Sequence, residues 1–403
     1  MYDVEKIRND FPILSKKINN KPIVYLDSAA SAQKPQCMLD KIINVYQNFY
    51  ANVHRGMYDL AEEITLEYET SRNQIAKFIN ADTNEIIFTR NATESINLIA
   101  SSWAEENLKE ADEVLISEAE HHANLVPWQL ICKKKKCKLI IFKIDDEGNF
   151  SEEDFIRKLS SKTKLVAVTA MSNVLGTIFP INNIVKAAHN VGAKVLIDAC
   201  QFAVHKKIDV KEIDCDFLVF SGHKLYGPTG IGVLFGKYNL LNEMIPYQTG
   251  GDMVEKVTYQ ETAFAMPPAR FEAGTPAIVQ AIGLAESVKY IQNIGMSQIE
   301  RHEENLVKYM FDVTSNINNF KHIGSVKNKG GVFSFQVGNI HPQDLAYVLN
   351  KEGINIRIGH HCAEPLVNRM GYSSVARASF GLYTSKEDIN MFVKAVNKAM
   401  KFF

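Results

Sequence analysis

The sequence predicts an α/β fold with a mainly parallel β-sheet. Short β-branched runs occur in the middle of the chain, namely KLVAVTA (164–170), KVLIDA (194–199) and DFLVFSG (216–222). These runs are apolar without a period-two alternation, which is typical of strands that are buried on both faces. The segments between them, such as INNIVKAAHNVGA, have the helical periodicity expected of crossover connections.

A second region begins near residue 278, where the pattern changes to a long amphipathic helical stretch. The later run VFSFQVG (332–338) has the composition of a strand, and a last helix is predicted near residues 386–401. These features predict a smaller α+β region, onto which we expect the N-terminal helix to pack.

Composition and charge exclude several classes of protein. The chain has 403 residues, 46% of them hydrophobic and 23% charged, as in ordinary globular proteins. Its net charge of −1 favours neither a nucleic-acid partner nor an anionic membrane. There is no apolar run of about 18 residues that could span a bilayer. The N-terminus, MYDVEKIRNDFPIL, lacks the pattern of a signal peptide.

The chain has six scattered cysteines: Cys37, Cys132, Cys137, Cys200, Cys215 and Cys362. They lack the dense spacing of a secreted disulfide framework. We therefore expect a reducing, cytoplasmic location.

Polar side chains follow several of the predicted strands at the point where each strand ends. They are His121, His122 and Asn124 after EVLIS, then Asn173, then Asp198, Cys200 and Gln201, and finally Ser221, His223 and Lys224. Each residue alone has an ordinary explanation, such as a helix cap or a solvated lysine. Ligands of parallel sheets bind beyond the carboxyl ends of the strands, so we expect these residues to form one site.

The combination points to pyridoxal phosphate as the cofactor. That group needs a lysine for covalent attachment and an acid beside the pyridine nitrogen, roles that suit Lys224 and Asp198. His121 is placed to stack on the ring and to move protons. Thr93 lies between a predicted strand and a helix, where amides and hydroxyls favour a phosphate, and Ser221 and His223 can add donors.

Two other kinds of site fit the sequence less well. The run GPTGIG (227–232) lacks the Gly-Lys-Ser/Thr ending of a P-loop and does not match GxGxxG. His360, His361 and Cys362 are adjacent, and neighbouring residues cannot converge on one metal ion without a contorted backbone. We expect no metal. On its own, the stretch RIGHHCAEPL (357–366) allows Cys362 to be a metal ligand, a buried thiol or a nucleophile.

Several blocks of the sequence resemble, over essentially the whole chain, the pyridoxal phosphate-dependent cysteine desulfurases of the class V aminotransferase superfamily. The similarity is to group II, the SufS type, which includes selenocysteine lyases. The blocks are YLDSAASAQKP (25–35), VHRGMY (53–58), EHHANLVPWQ (120–129), SNVLGT (172–177), SGHKLYGPTGIG (221–232), RFEAGTPA (270–277) and RIGHHCAEPL (357–366).

The resemblance implies a fold type I transferase with a seven-stranded sheet in a large domain (residues 25–295). A small domain (residues 1–24 and 296–403) would carry the cysteine loop. It also implies a homodimer with active sites at the subunit interface.

The resemblance also implies a role for each site residue. Lys224 would carry the cofactor, Asp198 would pair with the pyridinium, Gln201 with the ring hydroxyl, and His121 would stack on the ring. Thr93, Ser221 and His223 would hold the phosphate, with Thr275 reaching over from the partner subunit. Asn173 and Arg377 would bind the substrate, Arg357 would line its pocket, and Cys362 would accept sulfur as a persulfide.

The activity implied is removal of sulfur from L-cysteine, giving L-alanine and a persulfide passed to a SufE- or SufU-type acceptor for iron–sulfur cluster assembly. Alternatives are a selenocysteine lyase acting on L-selenocysteine, a class V aminotransferase, which would not need Cys362, and a non-catalytic scaffold that binds the cofactor. The chain departs from many members at Asn91 and Ala92, where they have Gly and Thr, and at YQTGGDM (247–253), which has one glycine fewer.

Overall fold

A seven-stranded β-sheet forms the centre of the structure, a computed structural model that describes residues 2–403. Its strands are β1 (Ile86–Thr89), β2 (Glu113–Ser117), β3 (Lys138–Phe142), β4 (Thr163–Thr169), β5 (Lys194–Asp198), β6 (Phe217–Ser221) and β7 (Gly232–Gly236). They lie in the order β1-β7-β6-β5-β4-β2-β3, and β7 alone runs antiparallel to its neighbours. The predicted α/β fold with a mainly parallel sheet is confirmed.

Both faces of this sheet are buried, as the apolar runs predicted. In β5, Val195 and Ile197 belong to one hydrophobic cluster, whereas Leu196 between them belongs to another. Successive side chains of a strand point to opposite faces, so the two clusters lie on the two sides of the sheet. Helices that cover both sides account for the absence of a polar alternation in the strands.

The α-helices lie at Val4–Asn9, Gln36–Asn48, Asp59–Ile79, Ala92–Ile99, Glu105–Asn107, Val126–Lys135, Glu152–Lys158, Ile181–Asn190, Phe202–His205, Val210–Ile213, Tyr238–Glu243, Ile278–Ile294, Met296–Thr314, Pro342–Lys351, Glu364–Arg369 and Lys386–Ala399. The helical stretch predicted from residue 278 is divided at Gly295, whose φ of 94° lies outside the helical region. Across residues 2–403, no helix combines the length and apolarity that crossing a bilayer requires.

A smaller antiparallel sheet is formed by residues in the last quarter of the chain. Its strands are β8 (Phe320–Ile323), β9 (Val332–Val337), β10 (Arg357–Gly359) and β11 (Val375–Ser379), in the order β8-β9-β11-β10. Phe333 and Phe335 of β9 share a hydrophobic core with Phe392 of the last helix. The strand predicted at VFSFQVG and the last predicted helix are therefore confirmed.

Three short two-stranded pairs complete the strands, and they are Lys17–Ile18 with Lys21–Pro22, Val24–Tyr25 with Ile354–Asn355, and Val254–Val257 with Thr262–Phe264. The N-terminal segment packs against the C-terminal part of the chain, as predicted. Arg8 Nη1 donates hydrogen bonds to Tyr383 O at 2.5 Å and to Asp388 Oδ2 at 2.6 Å. The domain boundaries proposed from the sequence stay a prediction.

Candidate active site

The carboxyl ends of four neighbouring strands, β2, β4, β5 and β6, open into one cavity of about 270 Å³. All but one of the predicted site residues line it, and these are Thr93, His121, Asn173, Asp198, Gln201, Ser221, His223, Lys224, Arg357, Cys362 and Arg377. The exception is Thr275, which is exposed and lines a separate cavity beside Glu94 and Tyr247. Its predicted contribution from a partner subunit stays a prediction.

Lys224 ends a short 3-10 turn that follows β6 directly. The turn is tight, because a Cβ on Gly222 would lie 2.7 Å from Ile231 Cγ2. Lys34 Nζ donates to His223 O at 2.9 Å, and the Ala32 amide donates to the same oxygen at 3.1 Å. The peptide before Lys224 is therefore fixed from the N-terminal part of the chain, which orients the lysine at the cavity wall.

Asp198 is the last residue of β5 and is 5% exposed. Its Oδ1 accepts a hydrogen bond from Cys200 N at 2.9 Å. Gln201 is 3% exposed and donates through Nε2 to Ala29 O at 2.8 Å. Both side chains are thus held in the cavity wall, at and just after the end of the strand next to the one that leads to Lys224.

His121 follows β2 and is a neutral imidazole at neutral pH. Burial, together with the positive charge of Lys224, lowers the pKa of His121 to about 4. Its Nδ1 accepts a hydrogen bond from Ala123 N at 3.0 Å, so the hydrogen of the neutral ring lies on Nε2. The orientation of the ring is fixed by this contact with its own turn.

The buried residue Glu120 stabilises this turn. It was not identified from the sequence. It is 3% exposed, and its carboxyl group accepts hydrogen bonds from Asn124 Nδ2 at 2.7 Å and from Thr169 N at 3.0 Å. Burial raises the pKa of Glu120 to about 8. The carboxyl group joins the ends of β2 and β4, and an acidic residue three positions after an apolar strand was the available signal.

An anion can be accommodated where the helix Ala92–Ile99 begins. Ala92 N donates to Ser221 Oγ at 3.0 Å, which leaves the hydroxyl hydrogen of Ser221 available to a ligand. The Asn91 side chain caps the helix by accepting from Glu94 N at 2.9 Å. Asn91, one of the two departures from the family pattern, therefore caps the N-terminus of this helix. The same N-terminus, with Thr93, lines the cavity.

Two arginines line the opposite end of the cavity, paired across β10 and β11. Arg377 is 2% exposed, and its Nη1 donates to Asn173 O at 2.9 Å. Its Nε has no hydrogen-bond partner among the described residues. Burial lowers the pKa of Arg377 to about 10, which leaves the guanidinium charged at neutral pH. A buried, charged and incompletely bonded guanidinium is suited to bind a carboxylate.

Asp27 lies between the two arginines and was also missed in the sequence. Arg357 Nη2 donates to its Oδ2 at 2.9 Å, and Arg377 Nη2 contacts its Oδ1 at 3.3 Å. One carboxylate therefore offsets two guanidinium charges, and the cluster keeps one positive charge for an anionic ligand. The weak signal was an acidic residue within the otherwise small and apolar run YLDSAA.

Cys362 is the one exposed cysteine of the six, and it lines the same cavity. It follows Gly359, whose φ of 112° lies in the region that favours glycine. Beside it, His361 is buried, and burial lowers its pKa to about 3. Within residues 2–403, no group of three or more His, Cys, Asp or Glu side chains is arranged to hold a metal ion.

These residues fit pyridoxal phosphate. Lys224 and Asp198 lie at the ends of adjacent strands, neutral His121 follows β2 two strands further along the sheet, and hydroxyl and amide donors lie at the start of a helix. The fold and this site define the class of fold type I pyridoxal phosphate-dependent enzymes. A family model described as aminotransferase class-V matches residues 24–392, and the chain belongs to that family.

Similar proteins agree with this assignment. The chain is 45% identical over 401 residues to a protein of Synechocystis named probable cysteine desulfurase, covering 98% of this chain and 96% of that protein. It is 42% identical over 398 residues to a cysteine desulfurase of Synechococcus elongatus, covering 98% of this chain. The apo structure of cysteine desulfurase from Thermococcus onnurineus NA1 matches with a TM-score of 0.95 and 38% identity, covering 99% of this chain and 98% of that one.

Some relatives are longer than this chain. The chain spans 64% of the length of the Synechococcus elongatus protein and 58% of the length of a relative from Mycolicibacterium paratuberculosis.

Proposed function

We propose that this chain is a cysteine desulfurase, a sulfurtransferase that converts L-cysteine into L-alanine and a persulfide on Cys362. The observation that carries the proposal is an exposed thiol on the wall of a cavity that also contains Lys224, Asp198 and Arg377. An aminotransferase has no step that requires a thiol at this position. The names of the relatives support the same activity.

In this proposal, Lys224 would attach the cofactor and Asp198 would stabilise the protonated pyridine nitrogen. Gln201 would contact the ring hydroxyl, His121 would cover the ring face, and Thr93, Ser221 and His223 would hold the phosphate. When bound, the cofactor supplies an electron sink that labilises bonds at the α- and β-carbons of the substrate. His121 is neutral at neutral pH, so its Nε2–H can donate a hydrogen bond to a ligand within the cavity.

The substrate carboxylate would bind to Arg377, whose unpartnered Nε lies in the buried wall. Asn173 accepts from Arg377 Nη1, so it positions the guanidinium and borders the same space. Arg357 is half exposed and bound to Asp27, and it contributes positive charge at the rim. These contacts would hold the substrate carboxylate in the cavity that Cys362 also lines.

Sulfur transfer then takes place between two thiols, that of the substrate and that of Cys362, while the bound cofactor serves as the electron sink. The Cys362 thiolate attacks the substrate sulfur, a sulfur–sulfur bond forms, and the bond from that sulfur to Cβ breaks with its electron pair staying on carbon. Cβ takes a proton and becomes the methyl group of alanine. The proton that Cys362 loses on forming its thiolate balances the proton that Cβ gains. A C–S bond and an S–H bond are thus exchanged for an S–S bond and a C–H bond, so no external oxidant or reductant is needed.

The finer assignments are part of the proposal. Only residues 360–363 separate β10 from the following helix, and this short loop supports the SufS type. We propose that L-selenocysteine is an alternative substrate at the same site.

The exposed position of Cys362 supports delivery of the persulfide to a SufE- or SufU-type acceptor for iron–sulfur cluster assembly. All six cysteines are free, which supports a cytoplasmic location.

We also propose that the chain forms a homodimer. Large apolar side chains are exposed between residues 43 and 66, and they include Ile43, Tyr46, Met57 and Leu66. Exposed apolar side chains concentrated in one segment are typical of an interface. Thr275 is exposed in the single chain, which leaves it available to a second copy.

The test of the function is mass spectrometry of the holoenzyme after incubation with L-cysteine. We expect one additional sulfur atom on the peptide that contains Cys362, together with accumulation of alanine. A transaminase would instead leave the peptide unmodified and require a keto-acid acceptor. An unmodified Cys362 peptide during continued alanine release would contradict the proposal.

Replacing Arg377 by alanine is expected to raise the KM for L-cysteine more than it changes kcat. A hydrogen bond to a charged group contributes about 2 kcal/mol, which corresponds to roughly a thirtyfold loss in kcat/KM. Steady-state kinetics of alanine release measures both constants. The matched control is Arg369→Ala, which removes an arginine paired with Asp146 outside the cavity. Equal kinetics for the two variants would refute the carboxylate assignment.

A further inference from the structure

The segment that carries Cys362 has an unfavourable backbone conformation. We call residues 360–364 the cysteine loop. His361 and Cys362 have φ values of 54° and 55°, so two consecutive non-glycine residues are left-handed. L-residues with side chains disfavour this region, and such geometry persists only where surrounding contacts impose it. The loop therefore needs partners outside itself.

His122 supplies two of those contacts, one to Cys362 itself and one to Glu364. Its backbone N–H donates to Cys362 O at 2.7 Å. Its side-chain Nε2 accepts a hydrogen bond from Glu364 N at 3.1 Å. A third contact comes from Asn173, whose Nδ2 donates to His361 O at 2.7 Å. The side chain of His122 is thus bonded to the backbone two residues after Cys362.

The position of His122 in the sequence links the loop to the rest of the site. His121, its neighbour, lies on the cavity wall, and the two ring centroids are 6.3 Å apart. The turn that holds both histidines is itself anchored by the buried Glu120. One short segment therefore fixes the cysteine loop relative to the wall that carries His121.

We propose that His122 is a positioning residue that holds Cys362 at the distance required for sulfur transfer, an inference that rests on the proposed function. His122 does not act on the substrate in this proposal. Its Nε2 keeps Glu364 N–H bonded, and that bond maintains the left-handed turn at Cys362. Without it the loop samples other conformations, and the thiol is correctly placed for a smaller fraction of the time.

A matched pair of substitutions tests this inference in the holoenzyme. His122→Asn removes the acceptor, because its amide does not extend to the position of Nε2. His122→Gln restores an amide oxygen near that position. The first readout is hydrogen exchange of the peptide spanning residues 360–366, measured without substrate. We expect about fivefold faster exchange at this peptide for His122→Asn and near wild-type exchange for His122→Gln.

The second readout divides the reaction into two parts. The change in the visible absorption of the cofactor on addition of L-cysteine reports substrate binding and should be unaffected in both variants. The rate of persulfide formation on Cys362 should fall about fivefold for His122→Asn and recover for His122→Gln. If His122 only stabilised the fold, its substitution would not slow persulfide formation while leaving substrate binding unchanged.

The outcomes separate the inference from the proposed function. Wild-type exchange or wild-type persulfide formation in His122→Asn would overturn the positioning role. Failure of the wild-type holoenzyme to form a persulfide would instead overturn the proposed function, and hydrogen exchange would still decide whether His122 holds the loop.

Discussion

Replacing Cys362 by alanine is expected to abolish persulfide formation and to reduce alanine release roughly a thousandfold or more. The reason is that no other exposed thiol is present to attack the substrate sulfur, since Cys37 is half-buried and the remaining four cysteines are buried. The cofactor site does not include the thiol, so the variant should still bind pyridoxal phosphate. Its visible spectrum should still respond to L-cysteine.

The measurement is alanine and sulfide release in the presence of a reductant. The control is Cys37→Ala, which removes a cysteine on the helix Gln36–Asn48, outside the cavity. That variant should retain wild-type rates. If sulfide production survived undiminished in Cys362→Ala, the nucleophile assignment would be wrong, and the sulfur would have to leave by another route.

Replacing Lys224 by alanine is expected to remove covalent cofactor attachment and to lower activity by roughly a thousandfold or more. Asp198, Ser221 and the start of the helix at Ala92 remain, so weak non-covalent binding should persist. Borohydride treatment should fix the cofactor to the wild-type chain, on the peptide that contains Lys224, but not to the variant. Mass spectrometry of the digested protein detects the difference.

The control for this variant is Lys237→Ala. Lys237 forms an ion pair with Asp214 on the surface and does not line the cavity. It should keep the colour, the borohydride adduct and the activity. Attachment of the cofactor to another lysine in the wild-type protein would refute the role of Lys224. A colourless wild-type protein that cannot be reconstituted would refute the use of the cofactor altogether.

The sheet and much of the cavity could be predicted because their determinants are local in sequence. Each apolar run predicts a strand, and the polar residues after it lie at the carboxyl end. Parallel neighbours bring those ends to the same edge. Asp198, Lys224 and His121 therefore come together in the cavity as the strand pattern indicated. The resemblance to a known family added the more distant Arg377 and Cys362.

Contacts between distant segments could not be predicted from local patterns. Asp27 follows the short apolar run IVYL (23–26), but its importance is visible only once Arg357 and Arg377 lie beside it. The function of Glu120 depends on Thr169 of the neighbouring strand. The left-handed conformation of His361 and Cys362 is equally hidden, because neither residue type predicts it and tertiary hydrogen bonds impose it.

The contacts around Asp27 also have a consequence for biosynthesis. Its partners Arg357 and Arg377 are 330 and 350 residues further along the chain. Asp198 and Lys224, by contrast, lie in the central sheet and leave the ribosome much earlier. The half of the cavity that receives the cofactor can therefore assemble during translation, whereas the half that recognises a carboxylate forms only after nearly the entire polypeptide has been released.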